Sequence, residues 1–246
     1  MKYTIVPLNL GETELDEKSK FTYFSNFGEK SKFTFIAWLI DGGEKKILVD
    51  TGSGDVGWLK RHSHITLRPG PKGDLVANLL SLGIEPGGID LVINTHLHSD
   101  HCFNNRLFNN AKFIIQHREL IHAINPVPTQ RAIYAWAENE VPPFLWVSDK
   151  YKILKGDMEI LPGIDVICTP GHTPGLQGVL VKTPSANVFL ASDTIPLFEN
   201  WETQTPSGIH VNLEDYYDTF NKIKSLSGAF ILPGHDPKVF KQERYP

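Results

Sequence analysis

The sequence of 246 residues predicts an α/β fold in which two β-sheets pack face to face and helices cover their outer surfaces. Apolar strand-like runs and helix-like runs follow one another along the chain. In addition, ILVDTGSG (47–54) and VFLASDTI (188–195) each run an apolar strand into an aspartate that is followed by small residues. This internal similarity indicates two halves, each made of a sheet and helices. At this length we expect a single domain over residues 1–246.

The first half begins with a predicted β-hairpin. FTFIAWLI (33–40) is an apolar strand, a turn follows at residues 41–43, and a second strand covers residues 47–50. Residues 52–73 are punctuated by glycine and proline and show little periodicity. We therefore expect a long loop there, close to a binding site.

Helices and strands alternate through the rest of the chain. Asp74 is the expected N-cap of a helix that ends at Gly83, and Asn212 is the expected N-cap of a helix over residues 213–226. Residues 129–140 lie between prolines and predict a helix in an insertion or cap. The remaining predicted elements are a short helix at residues 117–124 and strands at residues 89–96, 111–117, 164–170, 187–193 and 229–236.

Charge and composition narrow the class of partner. The formal net charge is −4 and the basic residues are scattered, which excludes a nucleic-acid track and a membrane-binding face and favours a small molecule. The N-terminal stretch reaches Glu12 and Glu14 without a long apolar run, so we expect no signal peptide or spanning helix and a cytoplasmic location. Two cysteines are too few for a disulfide framework, and Cys102 is expected to be a small buried residue.

The segment THLHSDH (95–101) concentrates three imidazoles and one carboxylate. In an extended segment alternate residues share a face, so His96 and His98 point the same way and can bind one ion. Asp100 and His101 follow where the strand gives way to a helix, and the change of backbone direction aims them at a second point. The segment therefore predicts two adjacent metal sites.

Further donors are needed because a zinc site takes about four ligands. His172 lies in the turn TPGHTPG (169–175), Asp193 ends the strand VFLASD, and His235 follows a strand in PGHD. All three come directly after predicted strands, where open α/β sheets collect ligands.

These motifs, in this order and spacing, resemble those of the metallo-β-lactamase superfamily, and LVDTG (48–52) resembles another of its signatures. Within the superfamily, the chain size, the run IEPGGIDLVINTHLHSDH (84–101) and the expected lack of a further domain after His235 are most similar to the N-acyl-homoserine lactonase group. The resemblance implies a four-layer αββα sandwich with a dinuclear metal centre between the sheets.

The resemblance also implies a role for each motif residue. One metal would be bound by His96, His98 and His172, the other by Asp100, His101 and His235, and Asp193 would bridge them. Asp50 would orient a ligand rather than bind metal. The implied cofactors are two divalent ions, zinc first, with iron or manganese as alternatives.

The implied chemistry follows from charge. Two dications, two carboxylates and one hydroxide leave a centre of roughly +1, which favours an anionic tetrahedral intermediate over a neutral carbonyl substrate. Because metal binding lowers the pKa of water to about 7, a bridging hydroxide would attack a lactone or carboxylic ester at neutral pH. Asp100 would be the catalytic residue that passes a proton to the leaving alkoxide. We expect a hydrolase that is a monomer or homodimer.

Two positions depart from the lactonase pattern; both are expected to line the substrate pocket rather than the metal sites, so they leave the substrate open. Relatives usually carry a tyrosine, which donates to the substrate carbonyl, where this chain has Pro196, and often a phenylalanine where it has Ser99. Tyr134 and Tyr23 are alternative donors. Aromatic residues could line an acyl-binding groove or simply pack: Phe21, Tyr23, Phe24, Phe27, Trp136, Phe144 and Trp146.

Two other reaction classes share much of the motif set. A thioester hydrolase of the glyoxalase II type would carry a further helical domain. A persulfide dioxygenase would use a single iron, and the presence of His101 and His235, which complete a second metal site, argues against that class. Five histidines outside the motifs are expected to be ordinary loop or packing residues: His62, His64, His117, His122 and His210. Of these, His62 and His64 alternate and could instead face a substrate from the long loop, but solvated loop residues are the favoured interpretation.

Overall fold

Two β-sheets form the centre of the molecule in the computed structural model, which describes residues 3–13, 15–62, 66–137, 140–226 and 228–246. In these ranges one sheet has the strand order β6-β1-β4-β5-β7-β8-β9, and the second has the order β10-β11-β12-β13-β14. The strands are β1 (Thr4–Thr13), β2 (Asp16–Glu17), β3 (Lys30–Ser31), β4 (Thr34–Asp41), β5 (Ile47–Val49), β6 (Leu67–Arg68), β7 (Leu91–Ile93), β8 (Lys112–Gln116), β9 (Tyr151–Leu154), β10 (Met158–Leu161), β11 (Ile164–Cys168), β12 (Gln177–Lys182), β13 (Asn187–Ser192) and β14 (Phe230–Pro233).

Helices cover the outer face of each sheet. The α-helices are α1 (Val56–His62), α2 (Leu75–Leu80), α3 (Ser99–Cys102), α4 (His117–Ile124), α5 (Phe198–Thr203) and α6 (Leu213–Lys224). Short 3₁₀ segments lie at Lys18–Lys20, Pro86–Gly88, Asn105–Leu107, Pro128–Gln130, Pro143–Lys150 and Pro237–Lys241. Within the ranges that the structure covers, no helix has the length and apolar character that a membrane span requires.

Apolar side chains on alternating strand positions build the four layers. On β4, Trp38 and Ile40 face the second sheet and pack in a cluster with Val179 and Val188. Leu39, between them on the same strand, points the other way and packs in the cluster that contains side chains of α2. A third cluster joins the outer face of the second sheet to α6. This arrangement confirms the predicted αββα sandwich.

Several local predictions are confirmed by hydrogen bonds. The 33–40 and 47–50 strands form an antiparallel hairpin in which Trp38 pairs with Val49. Asp74 caps α2 by accepting a hydrogen bond from the Ala77 amide at 2.9 Å. Asn212 caps α6 by accepting hydrogen bonds from the Glu214 and Asp215 amides. In each case the local sequence alone carried enough information, because the cap and its partner are only a few residues apart.

Two local predictions are wrong. The segment 52–73 is not one long loop: it contains α1, whose first turn is capped by Asp55 accepting from the Trp58 amide at 2.8 Å, and the short strand β6. The helix predicted at residues 129–140 is absent from the described part of that range, residues 129–137 and 140: a 3₁₀ turn is followed by irregular turns in which Ala135 has a left-handed φ of 58°. The backbone bends there so that the Trp136 indole can donate to the Ala123 carbonyl at 2.7 Å.

Candidate metal centre

The seven predicted metal ligands lie together where the strands of both sheets end. His96 and His98 follow β7, and Asp100 and His101 lie on α3. The second sheet supplies the other three ligands. His172 lies in the turn between β11 and β12, Asp193 directly follows β13, and His235 lies shortly after β14. All seven are buried except Asp100, whose side chain is 24% exposed. The structure therefore brings four separated segments to one point.

Three imidazoles form the first ligand group. His96 Nε2 lies 3.0 Å from His98 Nδ1, and His172 Nε2 lies 3.1 Å from the same atom. The ligand atoms of these three residues lie within 4.8 Å of one another. Nitrogen atoms this close, with their lone pairs directed to a common point, match the ligand geometry of a zinc-type cation.

Two imidazoles and a carboxylate form the second ligand group. Its members are Asp100, His101 and His235, with Asp100 Oδ2 at 3.5 Å from His101 Nε2 and 3.9 Å from His235 Nε2. Asp193 lies between the two groups. Its Oδ2 is 3.3 Å from His172 Nε2, whereas its Oδ1 is 3.2 Å from His101 Nε2 and 3.0 Å from His235 Nε2. One carboxylate thus presents a different oxygen to each group.

The outward ring nitrogens are held by hydrogen bonds that fix the imidazoles. The Nδ1 atoms donate to three acceptors: His101 to Asp50 Oδ2 at 2.8 Å, His172 to the Ile209 carbonyl at 2.6 Å and His235 to the Thr34 carbonyl at 3.0 Å. Because the Nδ1 atoms carry the protons, the Nε2 lone pairs point into the centre. These rings are therefore oriented to bind a cation through Nε2, which each ring does in its neutral form.

Asp50 holds His101 of the second group in place by a hydrogen bond to the side of the ring that faces away from the centre. Its Oδ1 accepts from the Thr95 amide at 2.7 Å, and its Oδ2 accepts from the Thr95 hydroxyl at 2.7 Å and from His101. Asp50 has a left-handed φ of 59°, and Ser192, next to Asp193 in the similar segment of the other half, has a φ of 48°. Non-glycine residues rarely adopt this conformation, so both strand ends are strained where they approach the centre.

The charge balance of the centre fits a cation. Burial lowers the pKa of His96 and of His98 well below the usual value, and neighbouring imidazoles lower both further, so these rings are neutral. Burial likewise lowers the pKa of His172. Burial also lowers the pKa of His101 and His235. Nearby carboxylates, of which Asp193 has the largest effect, outweigh burial and raise the pKa of both residues.

Asp193 is ionised although it is buried. Burial raises the pKa of its carboxyl group, but His235, His101 and His172 outweigh burial and lower that pKa well below the usual value. His101 Nε2 and Asp193 Oδ1 are also buried atoms without a hydrogen-bond partner in the described part of the chain. Buried polar atoms are normally satisfied, so these atoms and the facing nitrogens fit a divalent metal ion with nitrogen and oxygen ligands.

A cavity of about 320 Å³ opens onto the centre. Asp100 and Asp193 line it, and apolar side chains form much of the remaining wall: Phe21, Phe33, Phe35, Leu59, Ala132, Ile133 and Ile209. Ser99 lines the cavity as the sequence predicts. Pro196 does not, and its carbonyl instead accepts from the His235 amide at 2.8 Å.

The alternative tyrosine donors do not line this cavity. The Tyr134 hydroxyl donates to Glu119 at 2.9 Å, and the Tyr23 ring packs edge-on against His210. Of the aromatic residues considered for an acyl groove, Phe21 lines the cavity, and Phe144 belongs to a buried cluster. The remaining aromatics outside the cavity wall are Phe24, Phe27, Trp136 and Trp146.

His62 was expected to be an ordinary loop residue, but it lies on the cavity wall. Its ring stacks on Trp58 with centroids 4.7 Å apart, and its Nε2 lies 3.1 Å from Glu140 Oε1. The other oxygen of Glu140 accepts from the Trp58 indole at 3.1 Å, which fixes both rings. The sequence signal was the pair Trp58 and His62, one helical turn apart on α1.

The other histidines lie outside the centre. His122 is hydrogen-bonded to the Gln130 side chain at 2.8 Å, and His210 donates to the Ser207 carbonyl at 2.9 Å. His117 is exposed at the start of α4, and His64 falls outside the described residues. Cys102 is fully buried, as predicted, and its thiol donates to the Leu97 carbonyl at 3.4 Å.

Comparison with known proteins identifies the family. A family model described as the metallo-beta-lactamase superfamily matches residues 37–235. The chain belongs to the metallo-β-lactamase superfamily. An N-acyl homoserine lactonase of a Bacillus species is 31% identical over 188 residues, which cover 73% of this chain and 71% of the relative. The N-acyl homoserine lactonase AiiA of Bacillus thuringiensis subsp. kurstaki is 32% identical over 178 residues, or 69% and 67% of the two chains.

Solved structures of this superfamily share the fold. An N-acyl homoserine lactone hydrolase with the product N-hexanoyl-L-homoserine at its catalytic metal centre gives a TM-score of 0.81 at 24% identity, over 98% of this chain and 96% of that one. AidC, a dizinc quorum-quenching lactonase, gives a TM-score of 0.71 at 21% identity, over 96% and 88%. The predicted resemblance to the lactonase group is confirmed, and the protein is a metal-dependent hydrolase.

Proposed function

We propose that this metallo-β-lactamase family member is a two-metal hydrolase that opens lactone rings, with N-acyl homoserine lactones as its substrate class. One observation carries the proposal: Asp193 directs one oxygen to each of two ligand groups, beside a cavity with apolar walls. The lactonases among its relatives support the same substrate class.

The proposed ligands divide as the geometry groups them. His96, His98 and His172 would bind one ion, and Asp100, His101 and His235 would bind the other. Asp193 would be a ligand common to both groups, and the ions are expected to be zinc. When bound, such ions polarise a carbonyl and lower the pKa of water, which supplies a nucleophile at neutral pH.

Asp100 is the residue placed to transfer the proton. It is the most exposed of the seven ligands and lines the cavity, so one of its oxygens can meet a departing alkoxide. Attack of hydroxide on the lactone carbonyl and cleavage of the ring C–O bond would produce an alkoxide and a carboxylic acid on the same molecule. Asp100 can take the proton of that acid and pass it to the alkoxide, which leaves an alcohol and a carboxylate that do not readily close the ring again. Asp193, which is buried among three imidazoles, is held ionised and cannot serve as this acid.

The apolar wall of the cavity is suited to bind the acyl chain of such a substrate. Phe21, Phe33 and Phe35 lie on the cavity wall with Ile133 and Ile209, and none of these side chains offers a hydrogen bond. Each methylene group removed from water contributes about 0.8 kcal/mol, or roughly fourfold in affinity at most. We therefore expect longer acyl chains to bind more tightly until the cavity is filled.

A panel of substrates tests the function. Metal-quantified protein is assayed by pH-indicator acid release with N-acyl homoserine lactones of increasing chain length, simple lactones, carboxylic esters and thioesters. We expect kcat/KM to be highest for the acyl lactones and to rise by about two- to fourfold per added CH₂ before it levels off.

Metal-free protein is the control for spontaneous ring opening. A preference for thioesters would favour the glyoxalase II type of reaction, and oxygen uptake without acid release would favour a persulfide dioxygenase. Either result would contradict the proposal. The complete second group, with His101 and His235, counts against a single-metal oxygenase.

His62 is expected to contact the polar part of the substrate. Its imidazole is fixed by Trp58 and Glu140 on the cavity wall, where the lactonase tyrosine has no counterpart at Pro196. We expect His62→Ala to raise KM about five- to tenfold, the equivalent of one hydrogen bond, with little change in kcat. Steady-state kinetics at saturating metal measure both values.

The matched control is His117→Ala, which removes an exposed imidazole outside the cavity. It should leave both kinetic constants unchanged. An unchanged KM in His62→Ala would remove His62 from the substrate site.

A further inference from the structure

Glu119 is a buried carboxylate that the proposed chemistry does not use. It lies in the first turn of α4, and its exposed fraction is 0%. No lysine or arginine in the described part of the chain forms an ion pair with it, and its hydrogen-bond donors are neutral groups. Burial of a carboxylate without a cation is costly, so its three hydrogen bonds must offset that cost.

Two of the three donors come from the segments that carry the first ligand group. The Leu97 amide, which lies between His96 and His98, donates to Glu119 Oε1 at 3.0 Å. The Thr173 hydroxyl, adjacent to His172 in the chain, donates to Oε2 at 2.5 Å. One carboxylate therefore joins the strand end that carries two of the imidazoles to the turn that carries the third.

The third donor, Tyr134, reaches the same group through a ring contact. Its hydroxyl donates to Glu119 Oε1 at 2.9 Å, and its ring packs edge-on against His98 with centroids 4.6 Å apart. Glu119 thereby fixes the tyrosine ring that limits the movement of His98. Every hydrogen bond that Glu119 accepts leads to the first ligand group.

Direct backbone packing holds the turn against α4. A Cβ atom added at Gly175, the last residue of TPGHTPG, would lie 2.1 Å from the Glu119 backbone nitrogen. No residue other than glycine fits there without displacing the helix. The position of His172 relative to Glu119 is therefore set by the backbone as well as by the Thr173 hydrogen bond.

The second ligand group is held differently. Asp50 accepts from His101 directly and from Thr95, whereas Glu119 has no hydrogen bond or ion pair with Asp100, His101 or His235. Glu119 thus contacts only segments linked to the first group, whereas Asp50 holds His101 and also reaches His96 through the Thr95 hydroxyl, which lies 3.1 Å from His96 Nδ1.

We infer that Glu119 is a positioning residue that sets the spacing of His96, His98 and His172 and thereby strengthens metal binding at that group. It acts without touching the metal. This inference rests on the proposed function, because it requires that the three imidazoles bind an ion.

The experiment compares metal binding in the wild type and in Glu119→Gln. The amide keeps the shape of the side chain but directs an NH₂ group at one of three donors, so at least one hydrogen bond is lost. Metal is measured by mass spectrometry after dialysis, and each site is titrated with Co²⁺ and followed by its visible absorption. We expect one of the two dissociation constants to rise about 10- to 100-fold and the other to stay unchanged.

The matched control is Asp74→Asn, the same acid-to-amide change in a residue that caps α2 outside the centre. It should keep both dissociation constants. Thr173→Val and Tyr134→Phe each remove a single donor and should shift the same site by a smaller factor. These two variants keep the inference testable if Glu119→Gln does not fold.

The outcomes separate the two proposals. Two unchanged dissociation constants in Glu119→Gln, or an equal rise in both, would overturn the role of Glu119 while two metals in the wild type uphold the proposed function. A wild type that binds one ion would overturn the two-metal function. In that case the inference is upheld if Glu119→Gln weakens that one ion and overturned if it does not.

Discussion

Replacing Asp193 with alanine is expected to lower kcat/KM for the preferred lactone by at least about 10³-fold, because several kcal/mol of charge stabilisation depend on the metals it would share. Its two oxygens lie 3.0–3.3 Å from three imidazoles that belong to both ligand groups. Without them, each proposed metal site would lose a negative ligand, and His101 and His235 would lose the carboxylate that contributes most to raising their pKa. Kinetics and metal analysis on the same preparation measure the loss.

The matched control for this variant is Asp165→Ala. Asp165 lies on β11 in the same half of the chain and pairs with Lys182 at 2.9 Å, outside the centre. It should keep two metals and full activity. Retention of both metals and of activity in Asp193→Ala would show that Asp193 does not bridge.

Removal of metal by a chelator is expected to lower the melting temperature by on the order of 10 °C. An ion present at a thousand times its dissociation constant stabilises the folded state by about 4 kcal/mol, and each kcal/mol shifts the melting temperature of a chain of this size by roughly 2–4 °C. Differential scanning calorimetry of the metal-loaded and chelated protein measures the shift. Restoration of metal should reverse it, and an unchanged melting temperature would contradict metal binding at a buried site.

The metal-free protein is also expected to be most stable near pH 6.5. His96, His98 and His172 have a lowered pKa when folded, so below about pH 6.5 the unfolded chain takes up more protons and stability falls. His101 and His235 have a raised pKa, so their contribution is present below about pH 6.5 and is lost as the pH rises through their folded values.

Melting temperatures of chelated protein at pH 5.5, 6.5 and 8 test this maximum. The metal-loaded protein at the same three pH values is the control, since ligand imidazoles do not titrate while they bind a cation. A steady rise or fall across the three values for the chelated protein would contradict the assignment of opposite pKa shifts.

The ligand set could be predicted from the sequence because its information is local. His96 and His98 alternate along an extended segment, and His172 and His235 each stand in a short turn after a strand. Strand ends of a sheet converge whatever the intervening residues are, so the motif order was enough to expect the seven side chains together. Their role as metal ligands, the single-domain organisation and the cytoplasmic location stay predictions.

The residues around the centre were missed because their partners are distant in the chain. Glu119 stands on a short helix with exposed charges, and its burial depends on Leu97 and Thr173, which local periodicity does not reveal. His62 was missed because Gly- and Pro-rich flanking sequence hid the α1 helix. The helix predicted at residues 129–140 was wrong for a different reason: the residues favour a helix locally, but the tertiary packing of Trp136 overrides that preference.

Neither half of the chain contains a complete ligand group. The first group takes His96 and His98 from the layer of β7 and His172 from the layer of β11 and β12, and the second takes Asp100 and His101 from one layer and His235 from the other. Ions bound there would cross-link the two layers, much as a disulfide links two segments. Separation of the sheets would then break both ligand groups, so bound ions would oppose any opening of the sandwich between its two layers.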